Sequence, residues 1–219
     1  MAFAARLIAP LLALALAGCE GVVLPGSSSA PTPAAASGAA PARSVPPKPP
    51  TRLEVGGVVV AAPDGYCVDT RARKGSFVLL AACSAISQSP EHPAPGRMGL
   101  LSATVGKRGS GSPPPDADQL SSYFRSAEGR ATLSYAGDPA SVAITDARSQ
   151  NGVFLLALID RSAPPQPELG AARWRALFTV DDRLVSVILH SLKEDPISRD
   201  GGTALLQTFV ARIRAANAG

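Results

Sequence analysis

Histidine occurs twice in this chain of 219 residues, tryptophan once, methionine twice and cysteine three times. Two imidazoles, His92 and His190, cannot supply the three or four ligands of a zinc centre, and the HExxH pairing is missing. No GxSxG elbow is present, so a serine triad has neither its turn nor a convincing base. Lys107 follows Gly106, but Arg108 stands where a phosphate-binding loop needs Ser or Thr. The run Gly109-Ser110-Gly111-Ser112 fails the dinucleotide fingerprint within three residues. Aromatic residues make up 5% and charged residues 17%, against 46% hydrophobic. That apolar share excludes a wholly disordered chain. A polytopic membrane protein is excluded too, because one long apolar run exists and it lies at the extreme N-terminus.

Charge is just as uninformative about a phosphate-rich partner. The chain carries 21 Lys and Arg against 17 Asp and Glu, a net charge of +4. From Leu53 onward the balance is seventeen against sixteen, so the basic excess belongs to the leader and the segment behind it. A nucleic-acid binder concentrates cations on the domain that grips phosphate, and this chain does not.

What is present begins with an address. Arg6 is followed by ten apolar residues from Leu7 to Leu16, too short to span a bilayer permanently. The run ends in Leu16-Ala17-Gly18-Cys19, small residues ahead of a thiol. This resembles the lipobox of bacterial lipoproteins. The resemblance implies removal of residues 1–18 and a diacylglyceryl group on Cys19, with the new amino group acylated as well. Two or three buried chains hold a protein at a membrane where one would not, at roughly 0.8 kcal/mol per methylene. In Gram-negative members an Asp after the Cys directs inner-membrane retention, so Glu20 points to the outer membrane and to a domain facing the periplasm.

Residues 19–52 read as a tether. Eight prolines lie between Pro25 and Pro50 among Ala, Ser and Gly, and no period of 2 or 3.6 runs through them. Residues 53–219 carry the folded domain. The sequence predicts strands over Leu53–Val60, Tyr66–Asp69, Ser76–Cys83, Leu100–Val105, Ala131–Tyr135, Ser141–Arg148 and Val153–Ile159. Asn151-Gly152 is the strongest hairpin signal. Trp174, Ala176, Phe178 and Val180 alternate along one strand, and Val185, Val187 and Leu189 alternate back after Asp181-Asp182. Asp116 caps a helix with Leu120, Tyr123, Phe124 and Ala127 on one face and Gly129 as its stop. A second helix, from about Gly202 to Ala216, has the stripe Leu205, Leu206, Phe209, Val210, Ile213. The expected class is α+β: a mostly antiparallel sheet with two helices packed on it.

Helix, successive hairpins and a closing helix, over roughly Ala117–Ala216, is similar in order to the PsbP-like fold, which often serves as an assembly or interaction module. The segments Pro63-Asp-Gly-Tyr-Cys-Val-Asp69, Phe77-Val-Leu-Leu80, Cys83-Ser-Ala-Ile86, Tyr123-Phe-Arg-Ser-Ala-Glu-Gly-Arg130 and Trp174-Arg175 resemble a group of uncharacterised alphaproteobacterial envelope lipoproteins.

Once Cys19 is lipidated, Cys67 and Cys83 remain as an even pair in an exported domain, which predicts a disulfide. Arg125, Arg130, Arg173 and Arg175 form a candidate interaction surface, with Arg173 and Arg175 pointing away from Trp174 toward solvent. No metal, cofactor or catalytic group is expected, and no nucleic-acid partner. The expected role is a non-enzymatic accessory or adaptor domain that meets an envelope protein. The alternative is a periplasmic solute- or anion-binding domain. A hydrolase would require His190 within hydrogen-bond reach of both a carboxylate and a hydroxyl.

Overall fold

The computed structural model describes residues 45–219. Cys19, the signal segment and the greater part of the expected tether lie outside the described residues. The order of elements is β1 (Arg52–Val55), β2 (Val58–Ala61), β3 (Tyr66–Lys74), β4 (Phe77–Ala82), α1 (Cys83–Ser87), β5 (Gly99–Val105), α2 (Ala117–Arg125), α3 (Ala127–Leu133), β6 (Val142–Gln150), β7 (Val153–Asp160), β8 (Leu169–Val180), β9 (Arg183–Leu192) and α4 (Arg199–Ala216). Seven strands form one sheet in the order β3-β4-β5-β9-β8-β7-β6, every neighbouring pair antiparallel. The class is α+β, with four α-helices among the described residues in place of the two expected.

The alternating pattern of the sequence becomes two unequal faces. On the first, Val78, Leu80, Leu101, Ala103, Val187, Leu189, Ala176 and Phe178 pack under α4 and the β1–β2 hairpin, which contribute Leu206, Phe209, Ile213, Val55, Val58 and Val60. Ser198 caps α4, its Oγ accepting from the Gly201 N–H at 3.2 Å. One turn later α4 meets the sheet so closely that a Cβ on Gly202 would lie 2.2 Å from Trp174 Cε2. At the far end, the Asn217 side chain donates to the Val59 carbonyl at 2.9 Å and accepts from the Val59 N–H at 2.8 Å. That amide substitutes for a neighbouring strand along the edge of β2.

On the second face α2 and α3 cover only the β6–β7 end, where Phe124 and Leu133 pack on Phe154, Leu156 and Leu158. Asp116 Oδ1 accepts from the Gln119 N–H at 2.8 Å, the cap expected for α2. Gly129 does not end that helix. Ser126 closes α2 and caps α3, its Oγ accepting from the Gly129 N–H at 3.0 Å. Gly129 sits inside α3 because a Cβ there would lie 1.9 Å from the Tyr123 carbonyl oxygen. The strand expected over Ala131–Tyr135 is therefore the end of α3 and the turn beyond it, with the Thr132 hydroxyl bonded back to the Gly129 carbonyl.

Three more boundaries move. The single strand expected over Leu53–Val60 is a hairpin, because Gly56 and Gly57 take φ of +56° and +80° and reverse the chain. β3 runs through Arg71 and Arg73 to Lys74 before turning at Gly75, with an irregular register after Asp69. The folded domain also takes in residues ahead of residue 53. The Pro50 carbonyl accepts from the Val68 N–H at 2.7 Å, so the prolines lie along the outer edge of β3.

Candidate functional site

β7 is buried along almost its whole length, on both faces, and ends in an acid, Asp160. The next strand back across the sheet, β8, places Arg173 opposite Leu158, and β9 places His190 opposite Arg173. Arg173 Nη2 donates to Asp160 Oδ2 at 2.9 Å, with the Asp160 side chain fully buried and that of Arg173 10% exposed. The same nitrogen donates to the Leu133 carbonyl at the end of α3. Asp160 Oδ2 also accepts from the Tyr135 N–H at 2.8 Å. Its Oδ1 accepts from the Ser141 hydroxyl at 2.8 Å, the Ser162 hydroxyl at 2.7 Å and the Ser162 N–H at 2.9 Å. The carboxylate thus binds α3's following loop, the turn before β6 and the segment after β7 to one point.

Tyr135 completes the cluster. Its ring lies under the Arg173 guanidinium, 4.0 Å from carbon to centroid, and its hydroxyl is 2.8 Å from His190 Nδ1. Burial pushes the His190 imidazole down to about 4, helped by the charges of Arg173 and Arg175. At neutral pH it is uncharged and carries one ring proton, whose place on Nδ1 or Nε2 sets the direction of the hydrogen bond with the Tyr135 hydroxyl. Burial alone would raise the Asp160 carboxyl, but the hydrogen bonds from Ser162, Tyr135 and Ser141 outweigh it and hold the group below the ordinary carboxylate range. His190 therefore reaches a hydroxyl, while the nearby carboxylate is engaged by Arg173, the serines and backbone N–H groups.

The four arginines of the expected surface are split. Arg173 and Arg175 do face away from Trp174, but Arg173 is buried against Tyr135 and the end of α3 rather than turned to solvent. Sequence alternation gives the face of a strand and says nothing about what covers it. Arg125 and Arg130 belong to α2 and α3 and line a shallow depression of about 470 Å³ beside β6. There Arg130 Nε donates to the Pro139 carbonyl at 3.1 Å. Arg125 is exposed and Arg175 half-buried, and no acid or hydrogen-bond acceptor engages either guanidinium among the described residues; Arg175 is the one of these two on the sheet. Burial and the neighbouring Arg173 both pull the Arg175 guanidinium below its ordinary value.

Arg175 lies at the border of the uncovered part of the second face, beside Thr132 and Leu133 of α3. Register aligns Leu79, Ser102, Ile188 and Arg175 in one row across β4, β5, β9 and β8. The neighbouring row runs Phe77, Thr104, Ser186 and Leu177. The apolar members of both rows are half-buried, whereas their first-face neighbours are sealed. The cavity beside Arg175 holds about 30 Å³, room for about one water.

His92 lies in a loop and its Nδ1 has no partner among the described residues. Cys67 and Cys83 are joined in a disulfide that ties β3 to the start of α1. Among the described residues no group of three His, Cys, Asp or Glu could hold a metal ion, and no helix is long and apolar enough to cross a membrane. Sequence reasoning passed over Tyr135 and Asp160. The signal for Asp160 was there: an acid closing an eight-residue strand whose other positions are all apolar. Tyr135 carried none, because its place depends on α3 ending at Leu133. No protein-family model matches the sequence, and no curated protein matches it.

Proposed function

We propose that this chain is a cell-envelope lipoprotein, anchored through lipid on Cys19, whose α+β domain acts as a non-enzymatic adaptor that docks an envelope protein on the open half of its sheet. The lipobox and the h-region before it support the anchor, and Glu20 supports the outer membrane with the domain facing the periplasm. The observation that carries the docking role is the asymmetry of the sheet. One face is sealed by α4 and the β1–β2 hairpin, while on the other α2 and α3 reach only from β6 and β7 to Arg173 and Leu177 of β8. Two rows of half-buried apolar side chains are left beside an unpaired arginine, a composition that suits a partner surface. A solute-binding role has Arg175 as its support, but a 30 Å³ cavity beside it gives a solute no enclosure.

The test uses the full chain tagged beyond Gly219 in cells. Membrane fractionation with and without Cys19→Ser reads the anchor. The native chain is expected in the membrane pellet with diacylglyceryl on its N-terminal peptide, and the variant in the soluble fraction. In-cell crosslinking then reads the docking role. A reproducible partner that is lost when Thr104, exposed in the open rows, is changed to Arg supports the adaptor. A partner set unaffected by that change removes the open face from consideration.

A further inference from the structure

We infer that the open strip of the sheet seats a carboxylate of a partner protein on Arg175, an Asp or Glu side chain flanked by apolar residues. This rests on the docking role proposed above and names its chemistry. A half-buried guanidinium with no acid opposite it has lost part of its hydration without recovering the energy from a partner. Arg173, one pleat away, has its own carboxylate in Asp160; Arg175 does not. Around it, Ile188 and Leu177, the latter packed against the α2–α3 cluster, form an apolar rim. Two polar atoms on the same face, Arg173 Nε and Ser186 Oγ, are buried without a partner. A group with two acceptor oxygens fits that environment, because a carboxylate takes the guanidinium fork in bidentate fashion.

The occupant follows from charge. The four strands of the strip carry no acid; the row of Arg175 continues onto β3 at Asp69, whose carboxylate already holds the Arg71 guanidinium at 3.1 Å. A second copy of the chain laid face to face would bring another Arg175 and, at the β3 edge, an Asp69 already paired with Arg71. The segment ahead of Leu53 offers one acid, Glu20, adjacent to the lipidated position and so held at the membrane. The unengaged acid is therefore that of another protein, and an adduct that maps to Asp69 of a second copy overturns this assignment.

The experiment uses the full-length chain in its own membrane. A photoreactive p-benzoyl-phenylalanine replaces Thr104 in the strip or, as control, Gln207 on the exposed side of α4. The adduct from Thr104, absent from Gln207, is expected to map to a partner peptide containing Asp or Glu. Arg175→Gln is expected to lower its yield about tenfold or more, the loss of a charge-assisted pair. Arg175→Glu is expected to abolish it, and changing the mapped acid to Arg is expected to restore it with Arg175→Glu. Arg175→Lys, which keeps the charge without the fork, is expected to retain an intermediate yield. Thermal melts of the variants separate loss of fold from loss of docking. A Thr104 adduct unchanged by Arg175→Gln in a folded chain overturns the carboxylate assignment and leaves the docking role standing. No adduct from Thr104 in membrane-bound protein overturns the docking role and this inference together.

Discussion

Asp160 and Arg173 sit where ions are costly. Removing two charges from water costs several kcal/mol each, and their attraction offsets this only with good geometry and every lone pair used. Asp160 meets that condition, accepting two hydroxyls, two backbone N–H groups and the guanidinium. Asp160→Ala leaves Arg173 buried without its counter-ion, and a loss of about 3–5 kcal/mol is expected in urea unfolding. Replacing both ions by apolar residues would not be neutral here, because the Tyr135 and Ser162 N–H groups would lose their acceptor. His190 gives a second residue-scale prediction. Its folded value of about 4 lies below the ordinary value of 6.5, so between those pH values the unfolded chain holds a proton that the folded chain does not. Stability present above pH 6.5 should therefore fall as pH drops toward 4, by up to about 3 kcal/mol. Equilibrium unfolding at stepped pH reads this slope, and His190→Phe should flatten it.

At the scale of elements, close approach is set by two glycines. Gly202 lets α4 settle on Trp174, and Gly129 lets α3 follow α2 across Ser126 with no loop. Gly202→Ala should raise helix propensity in an exposed helix, yet here the methyl would collide with a buried ring. The overpacking is expected to win, costing about 1–3 kcal/mol and lowering the thermal midpoint. Sequence reading caught the helix around Phe124 and its Asp116 cap, and the hairpin at Asn151-Gly152, whose residues take φ of +52° and +67°. It misread Gly129 as a stop because a glycine after an apolar stripe usually is one. The contact that needs a missing side chain there comes from the Tyr123 carbonyl, which no periodicity reveals.

At the scale of the molecule, the sheet must manage two edges. Along β3 the chain's own proline segment does so, with the Pro50 carbonyl accepting from the Val68 N–H. Prolines offer carbonyls but no N–H, so the covering segment cannot recruit a further strand. Removing residues 45–51 is expected to cost about 1–2 kcal/mol for the lost hydrogen bonds. It should also expose the β3 edge, with self-association rising in light scattering while the native chain stays monodisperse. The end of the tether is thus part of the fold, and the boundary expected near residue 53 was drawn by composition alone. Arg175 belongs to this scale too. Its strand position was legible as the alternate of Trp174, but its lack of a partner follows from where α3 stops.

The sequence by itself determined the local order. Period-2 alternation on β8 and β9 set which side chains share a face, turn residues set the hairpins, and two remaining thiols set the disulfide. Those are effects within a few residues of chain or, for the thiols, of parity. Only the tertiary structure decided which face is sealed, that Arg173 is an interior ion and that Arg175 is not. The two arginines are chemically identical and two residues apart, and they differ because Asp160, Tyr135 and the end of α3 converge on one and not the other. Burial and pairing are properties of what lies across space, and the chain supplies the partners of Arg173 from segments up to 40 residues distant.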